Sequence, residues 1–283
     1  MNLNIKKFDP KILEKRRVEG SGPPTCVFIG KRGTGKTILV ADILYHTRKT
    51  PMGVVMSGTE ESCNFYGNYV PDSFIYDDYN SGAVETIIEQ QRKNIKDESI
   101  KGDKSVFLLL DDCMYDKKNM RSKSIRGIFM NGRHWKISLY LTMQYCMDLP
   151  PDLRANVDYV FILREPVLAN RQKLYKNFFG IFPTFDSFSD TMLACTENYE
   201  CLVLDNTSKS NKIEDVVFWY KAHFPLPKFR IGTKELWLYH KKSCKVGTES
   251  KSETRLDPKK LKKKGNSIIV KKMGKKKKSA RKD

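Results

Sequence analysis

The sequence predicts an α/β protein with a mostly parallel sheet, helices on both faces and a late antiparallel pair at the sheet edge. Three observations carry this reading. Apolar runs of strand length alternate with segments of helical spacing from about residue 25 to about residue 220. The strand-like runs are almost continuously apolar, which is the pattern of strands covered on both faces. The first of them passes through a glycine-rich loop straight into a helical segment.

Residues 1–24 are basic and polar and close on Gly20-Ser21-Gly22-Pro23-Pro24, so they read as an arm leading into the first strand. A strand over 26–29 is followed by a helix over 38–44. Short strands follow at 53–57 and 73–76, with a turn-rich stretch between them. Val84, Ile87, Ile88 and Gln91 recur at helical spacing and predict a helix over 82–94. After a charged loop, 105–112 is a buried strand ending in two acids. Ile125, Ile128 and Phe129 share one face of a helix over 119–131. Strands at 137–144 and 158–163 and helices at 167–179 and 186–196 follow. The segments 201–205 and 216–220, joined by a polar turn, read as the antiparallel edge pair. Periodicity ends near residue 241. Lys-rich blocks at 259–264 and 275–278 predict a tail that is disordered when free. The expected organisation is a basic arm (1–24), one α/β domain (25–240) and a Lys-rich tail (241–283).

A chain of 283 residues can hold one sizeable core. Its formal charge of +19 is unevenly spread. Residues 241–283 hold 18 Lys/Arg against 4 Asp/Glu, a charge of +14, which leaves +5 for the rest. Such a tail suits a polyanion. The seven cysteines (Cys26, Cys63, Cys113, Cys146, Cys195, Cys201, Cys244) form no C-x-x-C pair. Together with His46, His134, His223 and His240 they lack the clustered spacing of a zinc site. They read as reduced thiols in a cytosolic-type compartment. The start lacks the apolar run of a signal peptide, and no stretch approaches the roughly 20 apolar residues of a membrane span.

Gly30-Lys31-Arg32-Gly33-Thr34-Gly35-Lys36-Thr37 is a complete G-x-x-x-x-G-K-[ST] loop between strand and helix. Gly30, Gly33 and Gly35 let backbone wrap closely around an anion. The loop N–H groups and the helix dipole favour the α- and β-phosphates of a nucleotide. Lys36 is expected to reach the β- and γ-phosphates, and the Thr37 hydroxyl to ligate Mg²⁺. The expected cofactors are ATP and Mg²⁺.

The strand 105–112 ends in Asp111-Asp112, the form of a Walker B strand. Asp111 is the candidate Mg²⁺ ligand, directly or through water, and Asp112 the candidate general base for the attacking water. The stretch of some 75 residues between the two motifs leaves room for an additional strand. Gln144 ends another apolar strand at the same sheet edge, where it can orient water or sense the γ-phosphate. Arg133 and Arg154 flank that strand, and either is a candidate arginine finger entering a neighbouring subunit. Arg32 faces nucleotide or DNA from within the loop. Trp135, Tyr140 and Tyr145 read as packing residues.

With these pieces in order, the chain resembles the FtsK–HerA superfamily of P-loop NTPases, and within it the genome-packaging ATPases of large nucleocytoplasmic DNA viruses. The resemblance rests on residues 30–37, Leu109-Leu110-Asp111-Asp112-Cys113, Asn131-Gly132-Arg133-His134, Leu141-Thr142-Met143-Gln144-Tyr145, Leu153-Arg154-Ala155-Asn156 and Phe218-Trp219-Tyr220-Lys221-Ala222. It implies a homo-oligomeric ring that uses ATP hydrolysis to drive double-stranded DNA into a preformed capsid. It makes Gln144 the polar sensor and favours Arg133 over Arg154 as the finger acting in trans. Capsid or inner-membrane viral proteins are the further partners it suggests, and the assembly site in the host cytoplasm and the virion are the locations. Cellular members typically carry Asp-Glu where this chain has Asp111-Asp112, so the base here is one methylene shorter.

Three other readings remain at this point, one of them a nucleotide-gated binding module with no turnover. A helicase or DNA-partitioning ATPase of the same superfamily would share the translocation step. A P-loop nucleotide kinase would need an acceptor pocket and a lid, and neither DNA nor a trans arginine.

Overall fold

The computed structural model describes residues 3–19, 21–59 and 65–247. The chain forms two compact units, Met1–Lys241 and Lys242–Asp283. The first holds the sheet. The second is described only as far as Gly247, as the end of a helix, and the Lys-rich blocks of the tail lie outside the described residues.

The strands are β1 (Lys6–Lys7), β2 (Thr25–Ile29), β3 (Met52–Ser57), β4 (Ile75–Tyr76), β5 (Val106–Asp111), β6 (Ile137–Met143), β7 (Tyr159–Ile162), β8 (Glu200–Asp205) and β9 (Val217–Lys221). They form one sheet in the order β1-β9-β8-β7-β2-β6-β5-β3-β4. From β7 to β4 all neighbours run parallel, whereas β8 pairs antiparallel with both β7 and β9. The predicted late antiparallel pair is thus present. The stretch between the two motifs does supply strands, β3 and β4, but in the sheet it is β6, later in the chain, that lies between β2, which feeds the glycine-rich loop, and β5, which ends in Asp111. Both outermost strands are two residues long, which leaves little exposed edge for pairing with another chain.

Helices cover both faces. The longer ones are α1 (Lys11–Glu19), α2 (Lys36–His46), α3 (Ser81–Lys96), α4 (Lys123–Asn131), α5 (Leu168–Phe178), α6 (Phe185–Ala194) and α7 (Lys234–Gly247). On one face Val84, Ile87 and Ile88 of α3 and Ile125, Ile128 and Phe129 of α4 pack with Leu108, Leu110, Leu139 and Leu141. On the other, Leu39, Val40, Ile43 and Leu44 of α2 pack with Phe28, Phe107, Leu109 and Tyr140. Alternate residues of one strand therefore serve opposite layers, as the two-residue period of a strand requires.

The helix expected over 119–131 is broken. Asp116 accepts from Lys118 N–H and caps a helical turn at Lys117–Met120. Ser122, in extended conformation, accepts from Ile125 N–H and starts α4 afresh. Two local caps compete with one continuous helix, and the caps win.

The segment 1–24, which reads in sequence as an arm, carries β1 and α1. Leu13 is fully buried. Phe8 sits edge-on to Tyr159, Phe161, Phe218 and Tyr220. Arg16 pairs with Asp158 at 2.6 Å, and the other oxygen of that carboxylate accepts from Thr25 N–H at 2.9 Å. Asp158 thereby joins the end of α1 to the start of β2. No helix among the described residues is long and apolar enough to cross a membrane.

Candidate nucleotide site

Because β2, β3, β5 and β6 run parallel, their C-terminal ends meet at one edge of the sheet, the edge where ligands bind in open α/β folds. Strand alternation decides which end residues face the glycine-rich loop. Phe107, Leu109 and Tyr140 lie in the α2-side core. Asp111 and Thr142, in the same alternation, fall on that side as well.

Asp111 is almost fully buried. Thr142 Oγ1 donates to its Oδ1 at 2.7 Å, and Tyr66 Oη donates to its Oδ2 at 2.8 Å. Ser57, at the tip of β3, adds a longer bond of 3.4 Å. A buried carboxylate without such donors would be costly, and three hydroxyls offset its desolvation. Thr142 also accepts the Asp112 N–H at 2.9 Å, so one side chain of β6 holds both acids.

Asp112 has φ 48°. Few residues other than glycine take this left-handed conformation, and a short polar side chain is among those that tolerate it. The turn aims the carboxylate at the loop. Lys36, at the first position of α2 and only 6% exposed, places Nζ 2.6 and 2.8 Å from its two oxygens. Gln144 Nε2 lies 3.5 Å from Asp112 Oδ2. Asp112, Thr142 and Gln144 line a cavity of about 260 Å³ with Met114, Tyr115 and Asp148. Next to Asp112, burial first and then the Asp78 and Asp111 charges push the Cys113 thiol up to about 12.

The loop has the geometry its glycines permit. Gly33 and Gly35 have φ 80° and 92°. A Cβ on Gly30 would lie 2.8 Å from Thr34 Oγ1 and 2.9 Å from Leu163, so only glycine fits there. Thr34 Oγ1 donates to the Lys31 carbonyl, and Lys31 Nζ pairs with Glu165 at 2.8 Å. Arg32 is exposed and Thr37 half-buried on the first turn of α2. A second cavity of about 320 Å³ opens beside the loop, lined by Gly33, Thr34, Arg164, Thr196, Asn198 and Tyr199.

The two arginines lie elsewhere. Arg133 precedes β6 and so sits at the opposite edge of the sheet, some 20 Å from the loop by strand length. It is about half exposed, with Asp158 at 3.9 Å. Arg154 donates to the Leu149 carbonyl at 3.0 Å and to Asn177, with its guanidinium over the Phe178 ring. Tyr140 is fully buried, Tyr145 meets Lys173, and Arg92 covers Trp135, so these aromatics pack against protein.

Sequence reasoning missed Ser57, Tyr66, Thr142 and Glu165. A polar residue one step before the end of a mostly apolar strand was the available signal for Thr142. Tyr66 had none, because its partner is 45 residues away.

The family model for the Poxvirus A32 protein matches residues 15–170. This chain belongs to that family. Its fold is that of a P-loop NTPase. An "uncharacterized protein" of Acanthamoeba polyphaga mimivirus is 40% identical over 226 residues, covering 77% of this chain and 79% of that one. Another, of Invertebrate iridescent virus 6, is 37% identical and covers 82% and 91%. The genome packaging NTPase B204 of Sulfolobus turreted icosahedral virus 2, solved with AMPPCP, superposes with a TM-score of 0.53 at 14% identity, over 71% of this chain and 98% of that one. The conjugation coupling protein TcpA of pCW3 gives 0.51 at 13%, over 87% and 75%. At these identities the superpositions speak for the fold.

Proposed function

We propose that the protein hydrolyses ATP at this sheet edge and uses it to move double-stranded viral DNA into a capsid as a homo-oligomeric ring. The observation that carries the reading is the convergence of Lys36, Asp112 and Gln144 beside a buried, hydroxyl-held Asp111. A structural ion pair would need neither the glycine cradle nor the left-handed turn that aims Asp112 at the loop.

The residues suit ATP and Mg²⁺. The cradle excludes a Cβ at Gly30, and Lys36 supplies the cation for the β- and γ-phosphates. Thr37 and Asp111 offer hard oxygen donors, the set Mg²⁺ prefers. Asp111 already accepts three hydroxyls, so it suits holding the ion through water. The metal, when bound, neutralises charge on the phosphates.

The remaining work falls to this chain. A triphosphate competes with Asp112 for the Lys36 ammonium. Released from that pair, Asp112 accepts the proton of an attacking water, and Gln144 orients that water from the same cavity wall. Arg133 cannot reach its own loop, so its role in this reading is in the neighbouring subunit's site. The tail supplies sequence-independent phosphate contacts, which weaken with salt through counterion uptake. Capsid or inner-membrane viral proteins would anchor the ring, at the assembly site in the host cytoplasm and in the virion.

The test is the ATP hydrolysis rate with and without long double-stranded DNA at low and moderate salt. Stimulation by DNA that fades with salt supports the motor. Turnover indifferent to DNA, with phosphate passed to a nucleoside, would replace it by the kinase reading.

A further inference from the structure

A cluster of metal-ligand type lies at the far end of α2, away from the phosphate loop. Asp42 and His46 are one helical turn apart and share a face. His223 follows β9. One ligand atom from each of the three lies within 4.8 Å of the others. The spacing of the histidines along the sequence gives no sign of this grouping. His46 and His223 are 177 positions apart and meet only because β9 packs beside α2.

The Asp42 carboxylate is fully buried. Its Oδ2 accepts from Tyr220 Oη. Its Oδ1 faces both imidazoles, His223 Nδ1 at 3.3 Å and His46 Nε2 at 3.8 Å. Among the described residues no lysine or arginine nitrogen lies within 4 Å of it. A buried carboxylate with no fixed cation is costly. His46 Nε2 is itself buried and has no hydrogen-bond partner. An orphaned ring nitrogen aimed at an unneutralised buried carboxylate is what a missing cation would satisfy.

The dimensions agree. Ligand atoms about 2.0–2.1 Å from a tetrahedral metal stand about 3.3 Å from one another. The observed separations approach this and need only small side-chain shifts. Tyr220 holds the carboxylate from behind, the outer partner that ligating groups commonly have. His223 is 59% exposed, which leaves a path for entry and a fourth position for water.

We propose that Asp42, His46 and His223 bind a divalent transition metal of the zinc type, which clips the phosphate-loop helix to the antiparallel edge of the sheet. Two imidazoles and one carboxylate select such an ion over Mg²⁺. The site is separate from the nucleotide's metal, since Asp42 is about 9 Å along α2 from Lys36. The proposal does not depend on what the ATPase moves.

The experiment uses the full chain, stripped with chelator and titrated with Zn²⁺ in excess Mg²⁺, with Co²⁺ as a spectroscopic probe. One equivalent of Zn²⁺ should bind and raise the Tm. The exposed ligand is the safest to replace: H223A should keep the Tm of the stripped protein yet lose the Zn²⁺-induced rise, with affinity weakened more than about tenfold. H46A should do the same, and H134A should not. No stoichiometric uptake would overturn the proposal. So would uptake unchanged in H223A and H46A, or a Co²⁺ spectrum dominated by thiolate charge transfer.

Discussion

Lys36 Nζ lies 2.6 and 2.8 Å from the two carboxylate oxygens of Asp112, so the loop lysine and the acid after β5 neutralise each other. Lys36 is the more buried partner, at 6% side-chain exposure against 24%. Removing the acid leaves a buried ammonium unpaired, which costs about 3 kcal/mol. D112N is therefore expected to lower the Tm and to gain more thermal stabilisation from ATP than the parent does, because phosphate restores the missing charge. It should bind ATP yet turn over at least about 100-fold more slowly. K36A should lose ATP affinity itself. Calorimetric titration and steady-state hydrolysis on both variants separate the two roles, and a D112N protein with normal turnover would remove Asp112 as the base.

Thr142 serves both acids at once. T142V keeps the shape but leaves Asp111 Oδ1 and the Asp112 N–H short of a partner. Denaturant unfolding should show a loss of about 1–3 kcal/mol, with a further fall in turnover as Asp112 loses its orientation. A fully stable variant would mean that water replaces the hydroxyl.

Arg133 and Arg154 make opposite predictions. R133A should fold normally and bind ATP, yet lose turnover in the assembled protein. Mixing R133A with K36A subunits should recover part of the activity, because each K36A subunit still presents Arg133 to its neighbour. R154A should instead reduce stability, since Arg154 ties the Leu149 carbonyl to α5. Failure of the mixture to recover activity would remove Arg133 from a neighbour's site.

The tail carries +14 of the net charge. Deleting residues 248–283 should lower DNA affinity at low salt and flatten the slope of log affinity against log salt. ATP affinity measured without DNA should not change. An unchanged salt slope would place the DNA contacts on the α/β domain.

Cys113 adjoins Asp112 yet should not report on the site chemically. Burial and the carboxylates of Asp78 and Asp111 hold its thiol near 12, so little thiolate exists through pH 9. Native-state alkylation followed by mass spectrometry should leave it unmodified until the protein unfolds. Rapid labelling at pH 8 would show that the strand end opens.

Much of the fold was legible because its signals are local. A buried parallel strand is an apolar run, and α3 repeats its apolar residues one turn apart. The loop and the acids of β5 were legible because phosphate binding needs glycines, a lysine and a hydroxyl at fixed spacing. The first helix was not. Its sequence, KILEKRRVE, is mostly charged, and its anchors are Leu13 and the ion pair of Arg16 with Asp158, 142 positions away. The break before α4 escaped because the choice between one helix and two rested on two local side-chain caps, Asp116 and Ser122.

By itself, then, the sequence determined the succession of strands and helices, the phosphate loop and the identity of the acids. Periodicity and motif spacing are properties of near neighbours along the chain. Only the tertiary structure decided that β6 enters between β2 and β5 and brings Thr142 onto both acids. It also turned Asp112 onto Lys36, set Arg133 at the far edge and joined His223 to Asp42 and His46. Each of these depends on strand order and packing, which bring together residues that no local pattern connects.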